Sequence, residues 1–311
     1  MLRDITTEDI RYRSPQVGEI LGRIRTGTWP LKPEVLATLG MRAFFFENDP
    51  PKLEAREYSG DDWSDTPAAA RLGLQRSTGS VAVVPIIGVI DQRRSWFGDV
   101  FTSELSPMLD SLVRNEAIGA IVLDVDSPGG SVAGVPELAD QIRGYRGQKP
   151  IYATSNTTMA SAAYWIASGA EKVFVSPSGE AGSIGVWTAH LDVSAMLEKY
   201  GQKVTLISAG KYKVEGNPFE PLSDEAKAAI QADVDTYFGM FVDAVAKSRG
   251  RRSDTVRNGF GEGRMLTAER AVEEGLADGV ATLGDLLGAI VPRRRQGTST
   301  AAARLAIERE M

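Results

Sequence analysis

Short apolar runs and helical patterns alternate along the chain from about residue 81 onward. Residues 120–125 (Ala-Ile-Val-Leu-Asp-Val) and 151–154 (Ile-Tyr-Ala-Thr) are predicted to be buried strands, because each is a short run of mostly apolar residues. Residues 160–170 are predicted to form a helix with small residues on its packed side. Alternating strand and helix signals of this kind are typical of an α/β domain.

The longest helical pattern covers residues 223–249. Ser223 is the expected N-cap of this helix. Apolar residues recur at helical spacing and form one face, which comprises Ile230, Val234, Tyr237, Phe238, Phe241, Val242 and Val245. The face is broad enough to pack on the core and on a neighbouring subunit, and we expect Phe238, Phe241 or nearby residues to contact that neighbour.

Composition divides the remainder of the chain into segments. Residues 1–46 contain short helical patterns and are expected to form an N-terminal helical extension. Residues 47–79 are polar and rich in turn-forming residues, which predicts a linker or arm. The α/β domain is placed at residues 80–288. Residues 289–311 lose apolar periodicity and are predicted to be a C-terminal tail, which is either simply solvated or a cleavable or partner-binding extension.

Composition also restricts the classes of function. The chain has 311 residues, of which 42% are hydrophobic, enough for one sizeable α/β domain with additions. A net charge of -6 gives no reason to propose nucleic acid as a partner. With no cysteine and a single histidine, disulfides are excluded and a catalytic zinc site is not expected. We predict neither a metal nor an organic cofactor.

No targeting or membrane segment is visible in the hydrophobic pattern. The first ten residues carry charges and contain no apolar run of signal-peptide length. No window approaches the roughly 18 to 20 apolar residues of a membrane-spanning helix. We therefore expect a protein that is neither secreted nor anchored in a membrane.

Ser161 is a candidate nucleophile because it stands at the predicted strand-to-helix turn. The N–H groups at a helix start lack intrahelical acceptors and favour developing negative charge. Gly129 and Gly130 follow Pro128 and the predicted strand at 120–125, and they allow a sharp turn that points an N–H into a cavity. A serine taken alone is more often a helix cap. The combination of the serine with the glycine turn favours catalysis.

A serine nucleophile needs a base, and a buried lysine can supply it without any histidine. Lys211 and Lys213 are two residues apart, so both lie on one face of an extended segment and periodicity does not choose between them. Glu215 could pair with either lysine, and a pair with Lys213 would oppose catalysis by holding the amine charged. His190, downstream of Ser161, is the alternative base of a Ser-His-Asp triad.

Six motifs, in their order and spacing, resemble the signal peptide peptidase A family of serine peptidases. They are residues 84–90 (VPIIGVI), 126–131 (DSPGGS), 160–166 (ASAAYWI), 182–186 (GSIGV), 211–213 (KYK) and 263–267 (GRMLT). The resemblance covers about residues 81–285. It implies the Clp protease and crotonase type of α/β fold, in which repeated strand-strand-helix units stack into a spiral.

The resemblance also implies roles for individual residues. Ser161 would be the nucleophile and Lys213 the general base, which leaves His190 without a catalytic role. The Ser183 hydroxyl would orient the lysine amine. The oxyanion hole would be formed by the backbone of Gly130, which follows Gly129, together with that of Ser161.

The chain departs from the family pattern in two respects. It has alanine at positions 162 and 163, where glycine is frequent, and this change should narrow the floor of the site. It also shows no membrane anchor, which cellular signal peptide peptidases usually have. With this feature, the N-terminal helical region, the segment at residues 29–31 and the charged, alanine-containing tail, it looks like the head-maturation or capsid-assembly proteases of tailed phages and prophages. The implied substrates are scaffold protein, portal protein or the chain itself, the implied location is the host cytoplasm or the procapsid, and a closed homo-oligomeric ring is expected.

Three other functions stay open on the sequence. The first is a cytoplasmic bacterial peptidase that degrades signal-peptide fragments. The second is a crotonase-type enzyme acting on acyl-coenzyme A, which would have the same fold but no need for Ser161 together with Lys213. The third is an assembly module whose active site has decayed, and the presence of the full set of implied site residues argues against it.

Overall fold

A computed structural model describes residues 54–59, 67–95 and 98–292 of the chain. The predicted N-terminal extension at residues 1–46 lies outside the described residues, as does the predicted tail from residue 293 onward.

The described residues form ten strands and nine α-helices. The strands are β1 Arg56–Tyr58, β2 Ser80–Ile87, β3 Ile90–Asp91, β4 Val100–Phe101, β5 Ile118–Ser127, β6 Ile151–Ala160, β7 Lys172–Val175, β8 Glu180–Gly182, β9 Met265–Thr267 and β10 Gly279–Val280. The helices are α1 Pro67–Arg71, α2 Thr102–Arg114, α3 Val135–Gly144, α4 Ala162–Ser168, α5 Ser194–Lys199, α6 Asp224–Arg249, α7 Ser253–Arg257, α8 Ala268–Glu274 and α9 Leu283–Ile290. A 3₁₀ turn at Phe260–Gly263 precedes β9.

A mixed eight-stranded sheet forms the centre of the described fold. Five strands run parallel in the order β2-β5-β6-β7-β10, and β1 pairs antiparallel with β2 at the edge. Parallel neighbours need crossover connections, which the helices between these strands supply. The α/β prediction is confirmed.

Strand β6 changes its partner along its length. Its first half, from Tyr152 to Ser155, pairs with β7, whereas Thr158 to Ala160 pair with β8. Strand β8 pairs in turn with β9, antiparallel. Strand β6 therefore joins the main sheet to the β8–β9 pair, and its end at Ala160 lies beside the end of β8 at Gly182.

Helices cover both faces of the sheet. On one face, α2, α3, α4 and α6 bury the larger apolar cluster, and on the other face α1 and α9 bury a smaller one. Alternate residues of β5 follow this division, because Ile121 and Leu123 belong to the first cluster and Ala120 and Val122 to the second. A strand buried on both faces has the continuous apolar run from which β5 was predicted.

Helix α4 lies entirely within the core. All seven of its residues are buried, and the ring of Trp165 stacks on Phe241 of α6 with centroids 4.4 Å apart and planes 6° apart. Such an aromatic pair stabilises by about 0.5–1.5 kcal/mol beyond the area that it buries. Phe241 is fully buried within the chain, so it offers no surface to a neighbouring subunit. The expected contact through Phe238 or nearby residues stays a prediction.

Helix α6 has the boundaries that the sequence predicts. The Ser223 hydroxyl accepts a hydrogen bond from the N–H of Ala226 at 3.1 Å, so the predicted N-cap is confirmed. Gly250 ends the helix with a φ of 62°, a conformation that favours glycine. Only the second half of the predicted apolar face is deeply buried, while Ile230 and Val234 in the first half are half-exposed.

Other boundaries differ from the sequence predictions. Part of the predicted linker at 47–79 belongs to the fold, because β1 pairs with β2 and α1 packs in the same cluster as α9. At the other end, α9 and the buried Val291 extend beyond the predicted domain limit at residue 288. Among the described residues, no helix has both the length and the apolar character needed to cross a membrane.

Candidate active site

Ser161 lies between β6 and α4, at the strand-to-helix turn that the sequence predicts. Its φ is 53° and its ψ is -119°, a conformation that costs a non-glycine residue about 1–3 kcal/mol. Two backbone hydrogen bonds maintain it. The Ser161 N–H donates to the Gly182 carbonyl at 2.8 Å, and the Ser161 carbonyl accepts from the Trp165 N–H at 2.9 Å. The sheet therefore fixes one side of Ser161 and the helix fixes the other.

The Ser161 hydroxyl is fully buried and has no hydrogen-bond partner within the described part of the chain. Leaving a buried hydroxyl unpaired costs about 1–3 kcal/mol, so this side chain is unfavourable for stability. Unpaired buried polar groups are rare in folded proteins, and a catalytic role is one of their explanations. Within the described residues, the Ser161 hydroxyl therefore has no bond that would compete with a base.

The glycine turn and Ser161 lie at the same edge of the sheet. Ser127, the last residue of β5, pairs with Met159 near the end of β6. The turn at 129–130 and Ser161 therefore follow neighbouring points on two adjacent parallel strands. In open α/β sheets, ligands bind at this carboxyl edge.

Ser183 lies beside Ser161, at the end of the neighbouring strand. Ala160 pairs with Gly182, so Ser161 and Ser183 are the next residues on two paired strands. Ser183 also has a positive φ, 55°, and its N–H donates to the carbonyl of Arg264 at 2.8 Å. The sheet therefore brings together two of the predicted site residues, both held in a conformation that non-glycine residues seldom adopt.

Gly130 presents a free N–H at this edge. A Cβ at Gly130 would overlap the backbone of Ile90, and Gly129 has a φ of 99°, so the turn requires glycine at both positions. The Gly129 N–H donates to the Ser127 hydroxyl at 3.2 Å, and the Ser131 N–H donates to the Ile90 carbonyl at 2.8 Å. The Gly130 N–H has no acceptor among the described residues.

The resemblance implies the backbone of Ser161 as the second part of the oxyanion hole. The Ser161 N–H is already bonded to Gly182. Ala162 is the first residue of α4, where an N–H has no intrahelical acceptor, and the described residues offer it no other. The sequence prediction started the helix at residue 160 and therefore gave no reason to consider Ala162. In the structure, β6 continues to Ala160, the Ser161 N–H is bonded within the sheet, and the helix begins at Ala162.

Both candidate lysines are exposed, and their contacts differ. Lys213 is exposed and is not bonded to the Ser161 hydroxyl. The Lys211 amine donates to the Tyr212 hydroxyl at 2.6 Å and to the Glu225 carboxylate at 3.1 Å, and these two contacts raise the pKa of Lys211. A general base must be neutral, so contacts that stabilise the charged amine argue against Lys211.

His190 and Glu215 do not contact the Ser161 hydroxyl either. His190 Nε2 lies 2.9 Å from the carbonyl oxygen of Asn217. Glu215 forms no ion pair with Lys213 in the described structure. Within residues 54–59, 67–95 and 98–292, histidine and acidic side chains form no group of three that could hold a metal ion.

A groove of about 390 Å³ adjoins the segment that follows Ser183. It lies between residues 186–190 and the first half of α6, where Ile230 and Val234 form part of its wall. Because most of these walls are apolar, the groove suits an aliphatic side chain. The half-exposed part of the α6 face therefore borders a concave surface beside the site.

The segment between His190 and α6 is rich in exposed apolar side chains. They are Leu191, Met196, Tyr200, Val204, Leu206, Ile207, Tyr212 and Phe219, and Ile207 is 95% exposed. The backbone of residues 203–209 has no hydrogen-bond partner among the described residues. Large exposed apolar patches usually mark interaction surfaces.

Comparison with known proteins finds a peptidase family and relatives that are named as peptidases or as a phage head-tail protein. Residues 145–290 match the model of peptidase family S49. The chain is 34% identical over 233 residues to capsid assembly protease C of Escherichia phage lambda, covering 74% of this chain and 52% of that protein. It is 32% identical over 218 residues to head-tail preconnector protein GP5 of Enterobacteria phage P21, covering 69% and 43%. It is 30% identical over 193 residues to putative signal peptide peptidase SppA of Enterococcus faecium, covering 62% and 56%.

These matches agree with the fold and with the motifs. The chain spans about half the length of the curated relatives that it matches. The expected Clp protease and crotonase type of fold is confirmed by the family match and by the largely parallel sheet. Residues 145–290 of the chain therefore match a peptidase S49 domain.

Proposed function

We propose that this chain is a serine endopeptidase in which Ser161 is the nucleophile and Lys213 is the general base. The observation that carries the proposal is the buried, unpaired hydroxyl of Ser161 at the carboxyl edge of the sheet. The free N–H groups of Gly130 and Ala162 support it, because they are the donors that an oxyanion needs. The family match supports peptide hydrolysis as the reaction.

In the proposed reaction, the neutral Lys213 amine takes the proton of the Ser161 hydroxyl as its oxygen attacks the scissile carbonyl carbon. The carbonyl oxygen becomes an oxyanion and accepts hydrogen bonds from Gly130 and Ala162. The protonated lysine then gives its proton to the leaving amine, and the C–N bond breaks to leave an acyl-enzyme. Water hydrolyses the acyl-enzyme with the same roles in reverse. The Ser183 hydroxyl orients the lysine amine.

We further propose that the substrates are phage or prophage capsid-assembly proteins, such as scaffold, portal or the chain itself, in the host cytoplasm or the procapsid. Two relatives are named as a capsid assembly protease and a head-tail preconnector protein, which supports this class of substrate. A role in degrading signal-peptide fragments fits these relatives less well. An acyl-coenzyme A enzyme would not account for a match to a peptidase family.

We also propose that the active form is a closed homo-oligomer. The exposed apolar side chains between His190 and α6 support this proposal, because burial against a second copy would remove them from water.

A labelling and digestion experiment tests the proposed function. The purified chain is treated with a fluorophosphonate probe and, separately, incubated with candidate scaffold and portal proteins before mass spectrometry. We expect the probe on Ser161 and defined cleavage products, with both absent in Ser161→Ala. Products that persist in Ser161→Ala, or a label on a different serine, would contradict the proposal.

A further inference from the structure

Ser127 links two backbone segments beside the candidate site. It ends β5 and is 1% exposed. Its hydroxyl donates to the carbonyl oxygen of Gly88 at 2.6 Å and accepts from the N–H of Gly129 at 3.2 Å. A hydroxyl has one donor and two acceptor positions, so this one side chain can satisfy both groups at once.

The segment after β2 binds the glycine turn at further points. The Gly88 N–H donates to the carbonyl of Asp126 at 2.9 Å, and the Ile90 N–H donates to the carbonyl of Gly129 at 2.9 Å. The Ile90 carbonyl accepts from the Ser131 N–H at 2.8 Å. The turn is therefore held against this segment both before and after Gly130.

These contacts determine the direction of the Gly130 N–H. The Gly129 carbonyl and the Gly130 N–H belong to one trans peptide unit, so they point in opposite directions. The bond from Ile90 to that carbonyl sets one end of the unit. The Ser127 hydroxyl holds the preceding N–H, that of Gly129, and so limits rotation at a glycine whose φ is 99°.

We propose that Ser127 is a positioning residue for the oxyanion hole, and that its hydroxyl aims the Gly130 N–H at the developing oxyanion. Without that hydroxyl, the Gly88 carbonyl and the Gly129 N–H lose a buried partner and the turn can rotate. The oxyanion forms only on the way to the transition state, so a misdirected donor lowers kcat while leaving substrate binding nearly intact. This inference rests on the proposed function of Ser161 and Gly130.

Three variants test the role of Ser127. Ser127→Ala removes the hydroxyl, and Ser127→Cys keeps most of its volume but replaces it with a weak hydrogen-bonding thiol. Ser168→Ala is the matched control, because Ser168 is also fully buried and its hydroxyl also donates to a backbone carbonyl, that of Trp165, at 2.7 Å. For each variant we would measure folding by circular dichroism, kcat and KM on a peptide substrate, and inhibition by a peptide boronate that forms a tetrahedral adduct with Ser161.

Both Ser127 variants are expected to lose about 10- to 100-fold in kcat with little change in KM. Boronate inhibition should weaken by a similar factor, and folded Ser168→Ala should retain its kcat. If Ser127→Ala does not fold, Ser127→Cys carries the test. Folded Ser127 variants with wild-type kcat and boronate affinity would overturn the inference, as would an equal loss in Ser168→Ala. A wild-type chain without Ser161-dependent cleavage would overturn the proposed function and this inference together.

Discussion

Ser161 and Lys213 lie in opposite environments within one chain. The serine hydroxyl is buried and unpaired, whereas the lysine is exposed. Burial disfavours the charged form of an amine, so a lysine becomes an effective base only when it leaves water and approaches its partner. The proposed dyad therefore requires a step, in this chain or between copies, that brings Lys213 to the Ser161 hydroxyl.

Substitution of either dyad residue should abolish activity. We expect Ser161→Ala and Lys213→Ala each to lower kcat by at least about 10³-fold, because groups that act as a unit are not additive. His190→Ala is the control and should keep most of the activity, since His190 faces the Asn217 carbonyl. Steady-state kinetics on one peptide substrate would show this. An inactive His190→Ala beside an active Lys213→Ala would instead favour a triad.

Replacement of Lys213 by arginine should identify a lysine base, because only a neutral amine can accept the proton of the serine. Lys213→Arg should be inactive at every pH, because a guanidinium group does not deprotonate in proteins. A Lys213→Arg variant with measurable kcat at any pH, in steady-state kinetics on a peptide substrate, would argue against this mechanism.

Individual site residues were predictable to different degrees. Ser161 and the glycine pair stand at strand ends that apolar runs make visible in the sequence. The sequence did not show which backbone N–H near Ser161 is free. That depends on whether the Ser161 N–H forms a hydrogen bond within the sheet. The contacts of Lys211 with Tyr212 and Glu225 were not visible either, since Glu225 belongs to a different element.

At the scale of elements, apolar runs predicted strands that are buried on both faces and missed strands that are not. Strand β6 continues through Ser155, Asn156 and two threonines, a polar stretch that gives no strand signal. Its pairing with β8 decides the conformation there. Strand β1 is likewise a three-residue edge strand of Arg, Glu and Tyr, which exists because it pairs with β2.

Arg146 connects the ends of three helices, and its removal should destabilise the domain. It follows α3, and its guanidinium donates to the carbonyl of Ser168 at the end of α4, to those of Gly169 and Ala170 after it, and to that of Ser248 in α6. Helix-end carbonyls lack intrahelical donors, so this one side chain satisfies several of them.

We expect Arg146→Ala to lower the free energy of unfolding by about 2–3 kcal/mol, because charged hydrogen bonds to backbone carbonyls are lost. Arg143→Ala is the matched control. Arg143 pairs with the exposed Asp140 on the surface of α3, and its loss should cost about 1 kcal/mol or less. Chemical denaturation of the two variants would measure the difference. Equal stabilities would show that Arg146 does not connect these helices energetically.

At the scale of the whole molecule, the exposed segment before α6 should mediate assembly. We expect the chain to form a homo-oligomer and Ile207→Asp to dissociate it, because a charge would be placed where an exposed apolar side chain contacts another copy. Ile207→Val should preserve assembly. Light scattering at micromolar concentration would report the mass. A wild-type monomer with full peptidase activity would contradict the proposal.

Assembly also offers a way to bring Lys213 to Ser161. In the single chain the serine hydroxyl has no partner, while Lys213 lies in the exposed region that carries the apolar side chains. We therefore expect the lysine of one copy to serve the serine of the next. Ser161→Ala and Lys213→Ala, each inactive alone, should recover activity when they are unfolded together and refolded as a mixture.

In an equal mixture, random assembly of a head-to-tail ring would place an intact serine next to an intact lysine at about one quarter of the interfaces. Activity near that fraction of wild type is therefore the expected result. The control is each variant refolded alone, with its oligomeric mass checked by light scattering. A mixture that assembles normally but stays inactive would show that each chain supplies its own lysine, through a movement of the turn that contains Lys213.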